Sequence, residues 1–251
     1  NAETSPPRRP KVRILVDTCF WIGLAGLDVV DHKFTDRQKK ERFLEANRAF
    51  KYMTDNRINI EIVSSSFTRK ELDNTLEKLY AKAESLGYPA EYIENMKKKE
   101  TALRNAMKCN VMEYKLNSWK YIQNHPELPL PPQRSKEDPT KLVSNPDRHL
   151  FASCEMLQDK SGGFNESIIL TFDRNHVVSA GTYKGIKPME PEFLKEEITG
   201  ILYKNGLDEK GNPLVTEENL PEPEELIERA NMKLFEKIQT LKEREAALQK
   251  Q

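Results

Sequence analysis

Residues 12–21 read VRILVDTCFW, an aliphatic run that passes without a turn into Asp17 and Thr18. The same grammar returns at 167–175, SIILTFDRN, where a β-branched run ends on Thr171 and Asp173. A third run, INIEIV at 58–63, lies between them. Successive apolar residues over so short a length mark strands covered on both faces, as parallel strands are. Helical stripes separate the runs. Phe43, Ala46, Phe50 and Met53 form one; Leu72, Leu76, Leu79, Ala83 and Leu86 form a second that stops at Gly87. Ile93, Met96, Leu103, Met107 and Tyr114 mark a third over 91–122, and Leu150, Phe151, Cys154 and Leu157 a fourth. Strands alternating with helices predict an α/β fold with a mainly parallel central sheet, built from crossover units.

With 251 residues the chain can bury one large core and still carry appendages. Residues 1–10 lack the apolar centre of a signal peptide and read as a flexible N-terminal segment. The main domain is expected over 11–202. Within it, 91–146 reads as an insertion, made of the third helical stretch and then NHPELPLPPQRSKEDPTKLVSNP at 124–146, whose prolines and charges predict a long surface loop. A last helix is expected near 191–202. Residues 203–251 read as a turn-rich connector and a charged helix over 223–250, where Ile227, Leu234, Leu241 and Leu248 recur every seven residues. Such a seam suits a protein partner or a second copy of the chain.

No apolar run approaches the length of a bilayer span, so no membrane association is expected. Cys19, Cys109 and Cys154 lie far apart and without metal-ligand spacing, as expected for reduced thiols in a cytoplasmic protein. Forty basic residues balance forty acidic ones, so any attraction to nucleic acid must be local.

In a parallel sheet the carboxyl ends of the strands open on one edge, and ligands bind there because the following loops converge. Asp17 and Asp173 stand at such ends. Glu71, in SSSFTRKEL, is expected on the first helical turn after the second strand, and Asp147, in NPDRHLFASC, near the start of the helix before SIILTF. Each acid also has a structural explanation. Thr68 and Glu71 fit a capping box, Asn145-Pro146-Asp147 spell a helix start, Asp17 suits a cap and Asp173 a turn. Those explanations do not predict an acid at the same edge of every crossover unit. Converging carboxylates repel unless a cation lies between them, and oxygen ligands suit Mg²⁺ or Mn²⁺ better than zinc. A divalent ion there can activate water and shield a phosphodiester.

The order ILVDTCFW, SSSFTRKEL, NPDRHLFASCEML, IILTFDRNH and GIKPMEPEFL resembles the PIN-domain nucleases over about 11–197. Asp17, Glu71, Asp147, Thr171 and Asp173 match the family's places. The resemblance implies a three-layer αβα fold, a Mg²⁺ or Mn²⁺ site on Asp17, Glu71, Asp147 and Asp173, and cleavage of RNA or, in some branches, of DNA, with an endoribonuclease acting on single-stranded RNA as the reading favoured here. It also implies that the hydroxyls of Thr18 and Thr171 hold the neighbouring acids; Asn175 is a further candidate for orienting Asp173 or a water. The interval between Glu71 and Asp147 is longer than in compact members, Arg148 and His149 stand where smaller residues are usual, and the tail beyond about 203 has no counterpart.

Lys97, Lys98 and Arg104, interleaved further along with Tyr114, Trp119 and Tyr121, offer a grip on single-stranded RNA, while Arg134 and Arg148 flank Asp147 and suit a clamp. Other readings compete. A phosphatase of the haloacid dehalogenase type wants an acid where Cys19 stands, and a response-regulator receiver lacks its phospho-acceptor. The rival from another class is a PIN-like scaffold that binds RNA or protein without catalysis.

Overall fold

The computed structural model describes residues 12–28, 34–131, 133–134, 140, 142–143, 145–160, 166–212 and 214. The expected N-terminal segment, much of the proline-rich loop and the helix expected over 223–250 lie outside the described residues. The chain divides into two compact units, Asn1–Gly211 and Asn212–Gln251, and the first contains the central sheet and its flanking helices.

Five parallel strands, β1 (Val12–Val16), β2 (Ile60–Ser65), β3 (Met112–Tyr114), β6 (Ser167–Leu170) and β7 (Ile186–Met189), form the central sheet in the order β3-β2-β1-β6-β7. A separate two-stranded antiparallel ribbon, β4 (Gln133–Arg134) with β5 (Leu142–Val143), lies in the proline-rich stretch. The central strand explains the layering. Every residue of β1 is buried, and its side chains alternate: Val12, Ile14 and Val16 join one apolar cluster and Leu15 the other. On the first face lie α1 (Thr18–Ala25), α2 (Asp36–Asp55), α3 (Ser66–Ser85), α4 (Ala90–Asn110) and α7 (Leu194–Lys204); on the second lie α5 (Ser118–Asn124) and α6 (Arg148–Lys160). This is the expected α/β fold with three layers. Arg13, on the second face of β1, is tolerated because its Nε donates to Glu61 and its Nη1 to the Leu157 carbonyl, both at 2.8 Å.

Several expectations are corrected. The helix expected over 91–122 is broken: α4 stops at Asn110, Val111 turns extended (φ −117°), and Met112–Tyr114 pair with Val63–Ser65 of β2. Part of 91–146 therefore belongs to the sheet and is not an insertion outside it. The second strand lies at 60–65 instead of 58–63, leaving Ile58 exposed, and β6 ends at Leu170. The compact unit closes at Gly211, beyond the boundary expected at 202.

The strand order reverses between β1 and β6. β1 pairs with β2 on one side and β6 on the other, with Val16 opposite Leu170, so Asp17 and Thr171 leave the sheet side by side at its switch point.

Candidate active site

The Asp17 amide donates to the Leu170 carbonyl at 3.0 Å, which fixes the acid against the end of β6. Asp17 is also the N-cap of α1, its Oδ1 accepting the Thr18 N–H at 2.6 Å. Capping occupies one oxygen only. Oδ2 accepts the Thr171 hydroxyl at 2.6 Å and the Cys19 thiol at 3.0 Å. The same Thr171 oxygen accepts the Asp173 N–H at 2.9 Å, so one hydroxyl aligns both strand-end acids.

Glu71 is not a capping residue. The cap of α3 is Ser65, whose Oγ accepts the Thr68 N–H at 3.2 Å, so the helix starts directly from β2 and Glu71 falls in its second turn, not its first. Released from capping, Glu71 turns to α1, where its Oε2 accepts the Thr18 hydroxyl at 2.8 Å. At the start of α6 the capping is done by Asn145: its Oδ1 accepts the Asp147 N–H at 3.0 Å and its carbonyl the Arg148 N–H at 3.1 Å. No protein donor among the described residues reaches the Asp147 carboxylate.

Asp17, Glu71, Asp147 and Asp173 line one cavity of about 520 Å³, together with Thr18, Asn175 and His176. Their charges meet there. Burial, then the neighbouring Asp17, Asp173 and Glu71, push the Asp147 carboxyl up to about 7, with His176 opposing. Burial likewise raises Asp17 and Glu71 above the ordinary carboxylate range, against the pull of their hydrogen bonds. Asp147 thus feels the other three acids, yet the four are not drawn onto one point: among the described residues, no three acidic, histidine or cysteine side chains form a group that could hold an ion in these positions. The donor chemistry nonetheless fits a hard divalent cation, with carboxylate oxygens from four segments and that of Asp147 met by no donor among the described residues.

Of the two threonines, Thr18 donates to Glu71 across the cavity instead of to its neighbour Asp17, and Thr171 donates to Asp17. Asn175 lines the cavity, but Asp173 is held by His176, whose N–H donates to Oδ1 at 3.0 Å and whose Nδ1 lies 3.1 Å from it. His176 holds none of the matched motif positions in the sequence, although a residue three places after an aspartate is a natural partner for it in a turn. Cys19 was also missed as a site residue. Burial and then the charge of Asp17 push its thiol well up, so it remains a neutral donor to Asp17, and its Sγ accepts the Phe172 N–H at 3.1 Å.

Of the substrate-binding residues expected from the sequence, Lys97, Lys98, Arg104 and Arg148 do not line this cavity. Lys97 and Lys98 are exposed on α4, Lys98 3.2 Å from Glu94. Arg104 is bound to Asp73 and Glu100 at 2.8 and 2.7 Å. Arg148 is 4% exposed and its Nη2 donates to the carbonyls of His125, Pro126 and Leu128, which makes it a brace for the chain after α5 and not a clamp on substrate. The Arg134 side chain lies outside the described residues. Trp119 is 53% exposed, edge-on to the buried His149 ring. The cavity does contain an arginine that sequence reasoning overlooked, Arg42 of α2.

No protein-family model matches the chain, and no curated protein matches it.

Proposed function

We propose that the protein is a PIN-type metal-dependent endoribonuclease, hydrolysing phosphodiester bonds of single-stranded RNA with Mg²⁺ or Mn²⁺ held by Asp17, Glu71, Asp147 and Asp173. The observation that carries this reading is the convergence of four carboxylates, remote in sequence, on one cavity at the switch point of a parallel sheet. When bound, the cation supplies an activated water and shields the negative charge of the phosphodiester. The chain supplies position. Thr171 holds Asp17 and the turn of Asp173 in one orientation, and Thr18 does the same for Glu71. Cys19 gives Asp17 a neutral donor without adding charge. Asp147, protonated through much of the acidic range, must lose its proton before it can serve as a ligand. Ile22, Leu79 and Phe172 give the cavity an apolar side that strengthens the remaining charges.

In this reading the enzyme works in the cytoplasm with its thiols reduced, all three cysteines being free. No described helix is long and apolar enough to cross a membrane. The heptad over 223–250 is the proposed seat of a protein partner or a second copy.

The test is cleavage of a labelled single-stranded RNA by chelator-treated protein titrated with MnCl₂ or MgCl₂. Cleavage should require the metal, and Asp17→Asn and Asp147→Asn should each lower its rate about 100-fold or more. Cleavage indifferent to both substitutions overturns the site. RNA bound tightly but left intact favours the non-catalytic scaffold instead.

A further inference from the structure

We propose that Arg42 receives the phosphodiester backbone inside the acidic cavity, as the phosphate-binding residue that lets a polyanion approach carboxylates. The proposal rests on the nuclease reading for the identity of the anion, and on separate geometry for the site.

An acid-lined cavity has an electrostatic problem that one divalent ion does not fully solve. Asp28 lines it as well as Asp17, Glu71, Asp147 and Asp173, so an incoming phosphate chain meets repulsion on several sides. Among the described residues, the basic side chains on the lining are Arg42, Arg174 and His176. Arg174 is forked onto Glu190 at 2.8 and 3.0 Å and lies 3.7 Å from Glu192, so its charge is already answered. His176 is committed to Asp173. Arg42 differs in answering a single carboxylate, Asp28, and in being enclosed, its side chain 15% exposed against 68% for that of Arg174.

Its guanidinium is fixed at several points, two of them in the segments that carry the strand-end acids. Nη2 donates to the carbonyl of Cys19, two residues from Asp17, at 3.3 Å. Cζ lies 4.4 Å from the centroid of Phe172, which sits between Thr171 and Asp173, and 4.4 Å from that of Phe34. Nε donates to Asp28 Oδ2 at 3.2 Å. The fork has more N–H groups than these acceptors consume, and Nη1 meets no protein acceptor among the described residues. A planar cation, immobilised before substrate arrives and with an edge left open, binds phosphate oxygens in pairs at little entropic cost. Gly23 keeps the arrangement possible, because a Cβ there would stand 3.1 Å from Phe172 Cε2 and 3.9 Å from Arg42 Cβ.

The competing role is structural: Arg42 paired with Asp28 fastens α2 to the end of α1. That role alone predicts altered stability with unaltered RNA affinity. The deciding experiment uses the full chain and a fluorescein-labelled single-stranded RNA dodecamer of mixed sequence. Binding is read by anisotropy with Ca²⁺ at several KCl concentrations, and cleavage is read with Mn²⁺. Arg42→Gln should weaken binding and raise KM about tenfold, with kcat within about threefold, and should reduce the slope of log affinity against log salt by about 0.7. Thermal melting establishes that the variant is folded. If it is not, Arg42→Lys decides: binding about threefold weaker supports the proposal, because the charge is kept and the fork lost, and unchanged binding overturns it. Wild-type binding and salt slope in folded Arg42→Gln overturn the phosphate-binding role while leaving the Asp147→Asn cleavage result, and so the nuclease reading, intact. Arg42-dependent RNA binding with no metal-dependent cleavage supports the phosphate site and overturns the nuclease reading. Failure of the wild-type chain to bind RNA overturns both.

Discussion

Asp147 is the acid with the least help from the protein and the most opposition from its neighbours. Its amide is capped by Asn145, but its carboxylate is left to burial and to the charges of Asp17, Asp173 and Glu71, which push it up to about 7. An unfolded aspartate ionises near about 4. Between those values the folded chain holds a proton that the unfolded chain has released, so stability in the absence of a cation should fall as pH rises through that window. Below it the contribution is fully present, and above about 7 it is gone. Melting of chelator-treated protein at pH 5 and pH 8 should therefore show a decline that Asp147→Asn lacks, a difference on the order of 5 °C for a chain of this size. Equal declines in the two proteins would mean that the four acids do not share one electrostatic environment. The same competition between protons and cation predicts that excess Mn²⁺ flattens the wild-type profile.

Among the elements, strands buried on both faces were legible and strands at the margins were not. VRILV and SIILTF carry their assignment in short, β-branched apolar runs that end on turn-forming residues, as strands covered on both faces do. MEY at 112–114 has two exposed residues of three, and IKPM at 186–189 contains an exposed Lys187 and a proline, so nothing local distinguishes either from loop. Their strand character comes from β2 and β6, whose edges they complete. Asp17 and Asp173 could be read for the same reason as the inner strands, whose runs they follow, whereas Glu71 and Asp147 belong to helix starts beside β2 and β6. The partners of the acids were not legible. Arg42 reaches Cys19 only because α2 packs on α1, and no spacing rule connects residues on two separate helices. Arg148 misled in the opposite sense, for its position beside Asp147 suggested a clamp while its side chain turns inward to three carbonyls. Arg148→Met should accordingly lower stability by about 2–3 kcal/mol, because buried carbonyls lose a charged donor, yet leave KM for RNA within about twofold. Denaturant unfolding and steady-state cleavage of the same preparation check both halves. A raised KM in a protein of unchanged stability would return Arg148 to the substrate path.

At the scale of the whole molecule, the candidate site and the end of its compact unit lie at opposite edges of the sheet. The acids follow the carboxyl ends of β1 and β6, whereas Gly211, the last residue of the unit, packs against Asn59, whose carbonyl accepts the Val12 N–H at 2.8 Å at the amino end of β1. Leu207, just before it, joins the apolar cluster under α7 and closes the core. Every residue assigned a role in the reaction lies within this unit, and the heptad over 223–250 lies beyond it. A chain ended at Gly211 should therefore fold cooperatively, melt within about 4 °C of the full chain, and cleave RNA with the same Mn²⁺ dependence. Light scattering on both chains assigns any association to the removed segment if only the full chain associates. Loss of cleavage in a truncated chain that still melts cooperatively would instead show that residues after 211 complete the substrate path, and the cavity with its four acids and Arg42 would then be only part of the machinery.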